Sequence, residues 1–363
     1  MKLKVFIFLL TLGFILTGCT TEEKVSKNND ELSGDKVVKF NIDRDDRLDN
    51  INNNYEKLYG EKISLNELVR PDDFFKQDEK FSKIQYEIDE SDAGWKGSSG
   101  SVLYAEPGRI YFTTKEFSEI YDGLLWTNKG ELRDDFDDLT KGEEVAGLSE
   151  EDAVGIIQNI LSKYGITAKN LRAFPLSSNV LLKLSKEYMS DEEYEEYLKD
   201  STNEPMKREF SEEDEAYLII MNPCVGKNYL YNRAYDYGRY SYSGSLILAI
   251  VMRNKLAVFD ADGAYEVRDN TERINKMLTL NEAEEKLNDK FCDMIVNGDI
   301  ICRKEELTYI AVKGKEEQTY EFIPAYVFDI EYSLDDSKSD EKEGIKPISQ
   351  TILLDAQSGN WIE

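Results

Sequence analysis

The chain of 363 residues contains no histidine. Without an imidazole there is no Ser-His-Asp or Cys-His nucleophile, no histidine general base, no histidine-ligated zinc site and no histidine-based pH switch. Basic residues are also scarce, because 45 Lys and Arg stand against 73 Asp and Glu, for a net charge of −28. Nucleic-acid binding depends on clustered lysine and arginine side chains that displace counterions from phosphates. The composition therefore argues against nucleic acid as a partner and excludes most familiar hydrolase mechanisms.

The N-terminus carries a short hydrophobic leader. The apolar run over residues 5–16 is too short for a permanent membrane helix, which needs about 20 residues, and is typical of a secretory signal peptide. The leader ends in Leu16-Thr17-Gly18-Cys19, which resembles the lipobox of bacterial lipoproteins. The resemblance implies that residues 1–18 are removed and that Cys19, the new first residue, carries a diacylglycerol and palmitate.

Two or more acyl chains hold a protein stably on a membrane, whereas one chain binds only reversibly. We therefore expect the protein to hang by its N-terminus from the outer face of the bacterial cytoplasmic membrane. A plain secretory signal with an incidental cysteine is the alternative. Residues 19–36 are rich in Asp, Glu and Asn and nearly free of large apolar side chains, so they are expected to form a disordered tether.

Apart from Cys19 the chain has three cysteines, which cannot all pair with one another. Export permits a disulfide between Cys292 and Cys302, and that possibility stays open. Reduced, buried thiols are the favoured interpretation for these two and for Cys224, because a core of this size needs no covalent bridge.

The hydrophobic patterns predict an α+β fold in three regions. Residues 37–147 read as a β-rich N-terminal region, followed by an α+β unit at 148–268 and a second one at 278–363. Each unit begins with a capped helix, continues with strands and ends in an Asp-Ala…Gly turn. We interpret this order as a tandem repeat in which one helix lies on an antiparallel sheet.

Local signals predict individual elements of the two units. Ser149 is expected to cap the first helix and Asn281 the second. Residues 180–184 are expected to form a strand, and residues 319–332 another in which Pro324 marks an edge or a bulge.

The second unit resembles the PepSY-type modules of bacterial extracytoplasmic proteins. The resemblance lies in Leu280-Asn281-Glu282-Ala283 at the helix start and in Leu354-Asp355-Ala356-Gln357-Ser358-Gly359-Asn360-Trp361-Ile362 at the last strand, where the family has threonine in place of Ser358. Pro324-Ala325-Tyr326-Val327-Phe328 also resembles a strand of membrane-anchored accessory proteins that restrain a sensor kinase in Gram-positive bacteria. The resemblance implies a module that acts by binding, in an accessory or regulatory role, and not by catalysis.

A dense group of aromatic and basic residues is the candidate binding surface. Tyrosine and arginine are enriched where proteins bind partners, because each offers a large contact area with a polar group. Tyrosine pairs that only stabilise a hairpin are the alternative interpretation. The candidate residues are Tyr229, Tyr231, Arg233, Tyr235, Tyr237, Arg239, Tyr240 and Tyr242.

The sequence offers no catalytic residue, no metal site and no cofactor motif. A glycosidase works with two carboxylates and needs no histidine, but no spacing singles out a pair among 73 acids. We therefore expect a non-catalytic surface lipoprotein whose partner is an envelope protein or a cell-wall glycan. The alternative is a lipoprotein that captures a glycan or a solute.

Overall fold

The computed structural model describes residues 38–41, 55–75, 79–84, 93–126, 132–133, 135–200, 206–231, 235–237, 240–242, 245–253, 255–268, 271–274, 276–292, 299–314, 319–333 and 348–362. Its strands are β1 Lys39–Phe40, β2 Glu56–Lys62, β3 Phe81–Ile84, β4 Ala93–Gly97, β5 Val102–Glu106, β6 Arg109–Thr113, β7 Ala168–Leu176, β8 Ala216–Val225, β9 Asn228–Tyr229, β10 Tyr235–Tyr237, β11 Tyr240–Tyr242, β12 Ile247–Met252, β13 Lys255–Asp262, β14 Tyr265–Val267, β15 Glu272–Arg273, β16 Ile301–Lys313, β17 Thr319–Tyr332, β18 Ile348–Asp355 and β19 Trp361–Ile362. Its helices are α1 Leu65–Leu68, α2 Phe136–Leu139, α3 Glu150–Lys163, α4 Ser178–Tyr188, α5 Asp191–Tyr197 and α6 Leu280–Phe291.

The first sheet, called sheet 1, is antiparallel in the order β3-β4-β5-β6-β13-β12-β8-β7, with β9 beside β8. Strands from residues 81–113 and from residues 168–262 pair directly through β6 and β13. The pairing therefore runs across the boundary that we expected between residues 147 and 148.

Both faces of sheet 1 are covered. Along β12, Ile247, Ala249 and Val251 belong to the core under α3, while Leu248 and Ile250 belong to the core under α4. A strand buried on both faces needs apolar side chains at every position, which explains the unbroken hydrophobic run of this strand. The result is a layer of helix on each side of the sheet.

The second sheet, called sheet 2, follows the order β1-β16-β17-β18-β19, and β2 joins it by pairing with β17, β14 and β15. Helix α6 packs on one face through Ala283, Leu287 and Phe291. Its strands are antiparallel except for β1, which runs parallel to β16. These two sheets and their helices confirm the α+β class.

Helix caps determine where the long helices begin. Ser149 accepts a hydrogen bond from the Asp152 amide at 3.1 Å and starts α3, as predicted. At α6 the prediction was wrong by two residues, since Thr279 is the cap and forms a reciprocal capping box with Glu282. Asn281 instead lies inside the helix.

Residues 180–184 form part of helix α4, so the predicted strand is wrong. The buried side chains Val180, Leu181 and Leu184 follow the helical repeat, and the Ser177 hydroxyl caps the helix through the Val180 amide at 3.3 Å. The capping serine decides between the two periodicities.

Pro324 lies in the middle of β17 and not at an edge or bulge, contrary to expectation. On one side of β17, the partner is β2 as far as Phe322 and β18 from Ala325 onward. The Pro324 carbonyl accepts from the Ala356 amide at 3.0 Å on that side. Because N–H and C=O of one residue point the same way in a strand, the missing N–H faces the gap between the two partners.

The cysteines after the leader differ in exposure. Cys224 and Cys302 are buried, as expected, whereas Cys292 is exposed and donates to the Asp289 carbonyl at 3.0 Å. Burial, reinforced by the Glu305 carboxylate, raises the pKa of the Cys302 thiol to about 12. Across the described ranges, no helix combines the length and apolar character that crossing a membrane requires.

Candidate functional site

The structure locates only some of the tyrosine-rich candidate surface. Cys19, Arg233 and Arg239 lie outside the described residues. Strands β10 and β11 form a hairpin that pairs Tyr235 with Tyr242 and Tyr237 with Tyr240. Directly opposed residues of an antiparallel pair share a face, so these four positions lie on one face of the hairpin.

Tyr229 and Tyr231 occupy the junction between the two sheets. The Tyr229 carbonyl accepts from the Thr308 hydroxyl at 2.7 Å, and the Tyr231 amide donates to the Tyr309 carbonyl at 2.8 Å. The Tyr231 side chain is 7% exposed, in a core cluster with Ile310 and other residues of sheet 2. Tyr231 is therefore a core residue and not part of a solvent-facing platform.

Burial also affects the Tyr229 hydroxyl. It raises the pKa of Tyr229, and the nearby Glu306 carboxylate adds to the effect. A half-buried ring on the inter-sheet junction leaves little surface for a ligand. These two tyrosines join the sheets.

Among the cavities formed by the described residues, a pocket on sheet 1 has the composition of a ligand site. At its edge, Phe74 and Phe75 follow the short 3₁₀ helix Pro71–Asp73, which begins with a proline whose fixed φ suits the first helical position. The preceding Leu65 and Val69 are fully buried and anchor the segment. Phe74 and Phe75 are thereby held between α3 and the sheet.

We call this cavity the aromatic pocket. Its volume is about 310 Å³, at the lower end of the range for small-molecule sites. It is lined by three aromatic rings, three aliphatic side chains and a set of polar groups, namely Phe74, Phe75, Phe112, Ile156, Ile160, Leu256, Asp73, Glu79, Ser99, Ser101, Thr114, Glu116 and Lys255.

The rings form a connected aromatic wall. The centroids of Phe75 and Phe112 are 5.7 Å apart in an edge-to-face arrangement, and those of Phe74 and Phe112 are 5.6 Å apart. Phe75 also stacks on Phe81, which is 39% exposed at the surface. Contacts between aromatic rings favour particular ring orientations, whereas burial of apolar area alone does not.

The carboxylates of the aromatic pocket are already engaged. Asp73 accepts from Lys163 and from the Tyr164 hydroxyl, and Glu116 accepts from Lys255. Burial raises the pKa of Glu116, but the hydrogen bonds from Lys255 and from backbone outweigh it, so the net pKa is lowered. A general acid needs the opposite shift to keep its proton at neutral pH.

Glu79 and Phe75 meet above Gly97. A Cβ atom at position 97 would collide with the Glu79 carboxylate and lie 2.9 Å from Phe75 Cε1. Glycine at this position therefore leaves the space in which the carboxylate and the ring lie side by side. The Glu79 carboxylate accepts from the Ser99 amide at 3.2 Å and from its hydroxyl.

A second, wider cavity of about 850 Å³ lies between α2, the start of α3 and the edge of sheet 1. Its lining includes the acids Asp137, Glu143, Glu144, Glu150 and Asp152. Of these, Asp137 is paired with Arg172 at 2.8 Å, and Glu143 accepts from the Ser177 hydroxyl at 2.6 Å. Within the described parts of the chain, no group of three acidic or cysteine side chains has the arrangement of a metal site.

Sequence reasoning did not find the aromatic pocket, because its lining comes from five separate stretches between residues 73 and 256. The local signal that was available is Pro71-Asp72-Asp73-Phe74-Phe75, in which a proline-initiated turn precedes two aromatic residues. Which strands meet that turn depends on the order of sheet 1, and that order has no local signature.

The comparisons with known proteins establish the fold and not the function. No family model matches the chain, and no curated protein matches it. The crystal structure of an uncharacterized protein from Eubacterium rectale ATCC 33656, at 1.45 Å resolution, is similar with a TM-score of 0.58 over 85% of this chain and 86% of that one. The two sequences are 14% identical, so the similarity concerns the fold alone.

Proposed function

We propose that this protein is a lipoprotein of the outer face of the bacterial cytoplasmic membrane, that Cys19 anchors it, and that it acts without catalysis by binding a protein or envelope component. The lipobox-like leader and the acidic spacer after it support the location. The resemblance of residues 278–363 to PepSY-type modules supports an accessory or regulatory role.

The observation that carries the binding role is the aromatic pocket. It combines apolar walls with a few convergent polar groups, which is the usual composition of a ligand site. Its carboxylates Asp73 and Glu116 are held by ammonium groups, and the lowered pKa of Glu116 disfavours proton donation. These observations support binding of a group in preference to proton transfer.

Photo-cross-linking in intact cells tests the binding role. A benzophenone amino acid replaces Ile156, which lines the aromatic pocket and is 40% exposed. In the control it replaces Leu182 on α4, which is 39% exposed and is not part of the lining. The expected result is a discrete cross-linked species at position 156 and none at position 182. Equal labelling at both positions, or none at position 156, contradicts the proposal.

The anchor is tested separately. Mass spectrometry of the full-length protein from membranes is expected to show a lipid-modified Cys19 as the first residue. Cys19→Ser is expected to leave the leader uncleaved and the residue unmodified. An unmodified thiol at Cys19 in native material, or recovery of the wild type from the cytosol, contradicts the location.

The tyrosine hairpin supports a second candidate, capture of a cell-wall glycan. Four tyrosine positions share one face of β10 and β11, and aromatic faces stack on apolar ligand surfaces. Retention of the full-length protein on purified cell wall is compared for wild type, Tyr235→Ala/Tyr237→Ala and the control Tyr188→Ala, a tyrosine 45% exposed on α4. Loss of retention only in the double variant supports this candidate, and unchanged retention refutes it.

A further inference from the structure

The charges around the aromatic pocket are unevenly compensated. Asp73 is paired with Lys163, and Glu116 with Lys255. The described partner of Glu79 is different, since both hydrogen bonds come from the neutral amide and hydroxyl of Ser99. Among the described residues, no lysine or arginine is paired with the Glu79 carboxylate.

That charge lies against an aromatic wall. Glu79 and Phe75 converge over Gly97, and Phe75 stacks on Phe81 and meets Phe112 edge to face. Ring faces attract cations electrostatically, and the attraction grows when the cation is removed from water. A carboxylate next to such rings supplies the counter-charge that an ammonium group needs in an apolar site.

The remaining lining residues indicate which kind of chemical group the cation carries. Ile156, Ile160 and Leu256 form an aliphatic wall that hydrocarbon can cover. Lys255, the lysine among the described lining residues, is paired with Glu116. The net charge of −28 favours the approach of cations over a distance of about one Debye length.

From this geometry we propose that the aromatic pocket binds an organic cation, an alkylated ammonium group joined to an apolar body. The ammonium group lies beside the Glu79 carboxylate, and the apolar body lies against Ile156 and Leu256. This inference rests on the proposed binding function and specifies the chemistry of the group that the pocket takes.

Calorimetric titration of the full-length protein in lipid nanodiscs tests the proposal, with empty nanodiscs as the blank. The probes are benzyltrimethylammonium, the neutral benzyl alcohol and the anionic phenylacetate. The cation is expected to bind at least about tenfold more tightly than the alcohol, and the anion more weakly than both. Equal affinity for cation and alcohol, or tighter binding of the anion, overturns the proposal.

Two variants assign the selectivity to one carboxylate. Glu79→Gln is expected to reduce the affinity for benzyltrimethylammonium about tenfold and to leave the affinity for benzyl alcohol unchanged. Glu119→Gln removes the same charge from a residue outside the pocket lining whose side chain is 53% exposed, and it is expected to leave both affinities unchanged. Equal losses in the two variants indicate general electrostatics and overturn the assignment. Urea unfolding of both variants verifies that they are folded.

The two hypotheses fail in different experiments. A discrete cross-link at position 156 together with equal binding of cation and alcohol overturns the ligand class and leaves the binding function standing. The absence of a cross-link at position 156 overturns the binding function, whatever the small probes do.

Discussion

The guanidinium group of Arg109 in β6 holds the carboxylate of Asp260 in β13 through two hydrogen bonds, of 3.0 Å from Nε to Oδ1 and 2.8 Å from Nη2 to Oδ2. Asp262 follows two residues later on the same face of the strand. Burial raises the pKa of the Asp262 carboxyl, and the positive charges of Arg109 and Lys62 offset this only in part. One strand thus carries a carboxylate that stabilises the fold and another whose ionisation destabilises it.

The same substitution at these two positions is expected to have opposite effects at pH 7. Asp260→Asn loses the paired charge and lowers the free energy of unfolding by about 1 kcal/mol, since the pair is partly exposed. Asp262→Asn removes a carboxylate that ionises more readily in the unfolded chain, and it raises the free energy of unfolding.

The pH dependence checks the sign for Asp262. Because its folded pKa is raised, the wild type loses stability as the pH rises through the ordinary aspartate pKa and up to the folded value. The advantage of Asp262→Asn is therefore absent near pH 3 and complete above the folded pKa. Urea unfolding across this range measures it, and a gain that is constant with pH contradicts the explanation.

The capping box of α6 gives a second prediction. Thr279→Ala is expected to cost about 1 kcal/mol of unfolding free energy, because it leaves the Glu282 amide without its 3.2 Å hydrogen bond. Asn281→Ala is the control, since Asn281 lies inside the helix, where alanine is at least as favourable. If urea unfolding shows a larger loss of unfolding free energy for Asn281→Ala than for Thr279→Ala, Asn281 is the cap, as the sequence predicted.

Thiol reactivity is expected to separate the cysteines. At pH 8, iodoacetamide modifies the exposed Cys292 and leaves Cys224 and Cys302 protected, because the thiolate is the reactive form and burial raises the pKa of Cys302 to about 12. Peptide mapping after a timed reaction measures this. Urea is expected to make all three react at similar rates. Protection of Cys292 in the folded protein, relieved by reductant, would instead indicate a disulfide.

Arg208 closes the C-terminal end of α4. Its guanidinium donates to the Ser185 carbonyl at 3.0 Å and to the Met189 carbonyl at 2.7 Å, and it lies 4.8 Å from the Tyr194 ring centroid. Arg208→Gln is expected to lower the free energy of unfolding by about 2 kcal/mol.

Arg172→Gln is the control for this prediction. The Arg172 side chain is 48% exposed, and its partner Asp137 is 74% exposed, so the expected loss is below about 0.5 kcal/mol. Thermal or urea unfolding compares the two variants. If both variants lose the same unfolding free energy, the hydrogen bonds from Arg208 to the Ser185 and Met189 carbonyls do not stabilise the protein.

Elements with a complete local signal were predictable. The strands β5 and β6 flank Pro107-Gly108, a dipeptide that marks a turn in the sequence itself, with Gly108 at a φ of +80°. Helix α5 begins at a capping box of Ser190 and Glu193, a pattern that four consecutive residues display. In these cases the residues that decide the conformation lie within a few positions of one another.

Elements that depend on distant partners were not predictable. Four of the five residues 180–184 are apolar, which suits a buried strand as well as a helix. The Ser177 cap and the burial of Val180, Leu181 and Leu184 beneath sheet 1 identify the helix. The two Asp-Ala…Gly turns also diverge. Asp355 accepts from the amides of its own turn, whereas Asp260 is bound to Arg109.

The candidate sites show the same division. The tyrosine cluster was visible because its residues lie close together in the sequence, and the β-pairing at Tyr235–Tyr237 agrees with the hairpin interpretation. The burial of Tyr231 depends on Ile310 and other residues of sheet 2, which follow much later in the chain. The aromatic pocket requires strand order, which hydrophobic periodicity does not encode.

The placement of β2 in sheet 2 determines how much of the chain must be present before the sheet can form. The Glu56 carbonyl bonds to the Tyr309 hydroxyl, 253 residues later, and the backbone of β2 pairs with β17. Strand β2 lacks its β17 partner until most of the chain is available for folding. Contacts of such long range slow folding, and the waiting strand edge is open to foreign strands. We therefore expect full resistance to proteases to arise only when the last fifth of the chain, which contains β17, has joined sheet 2.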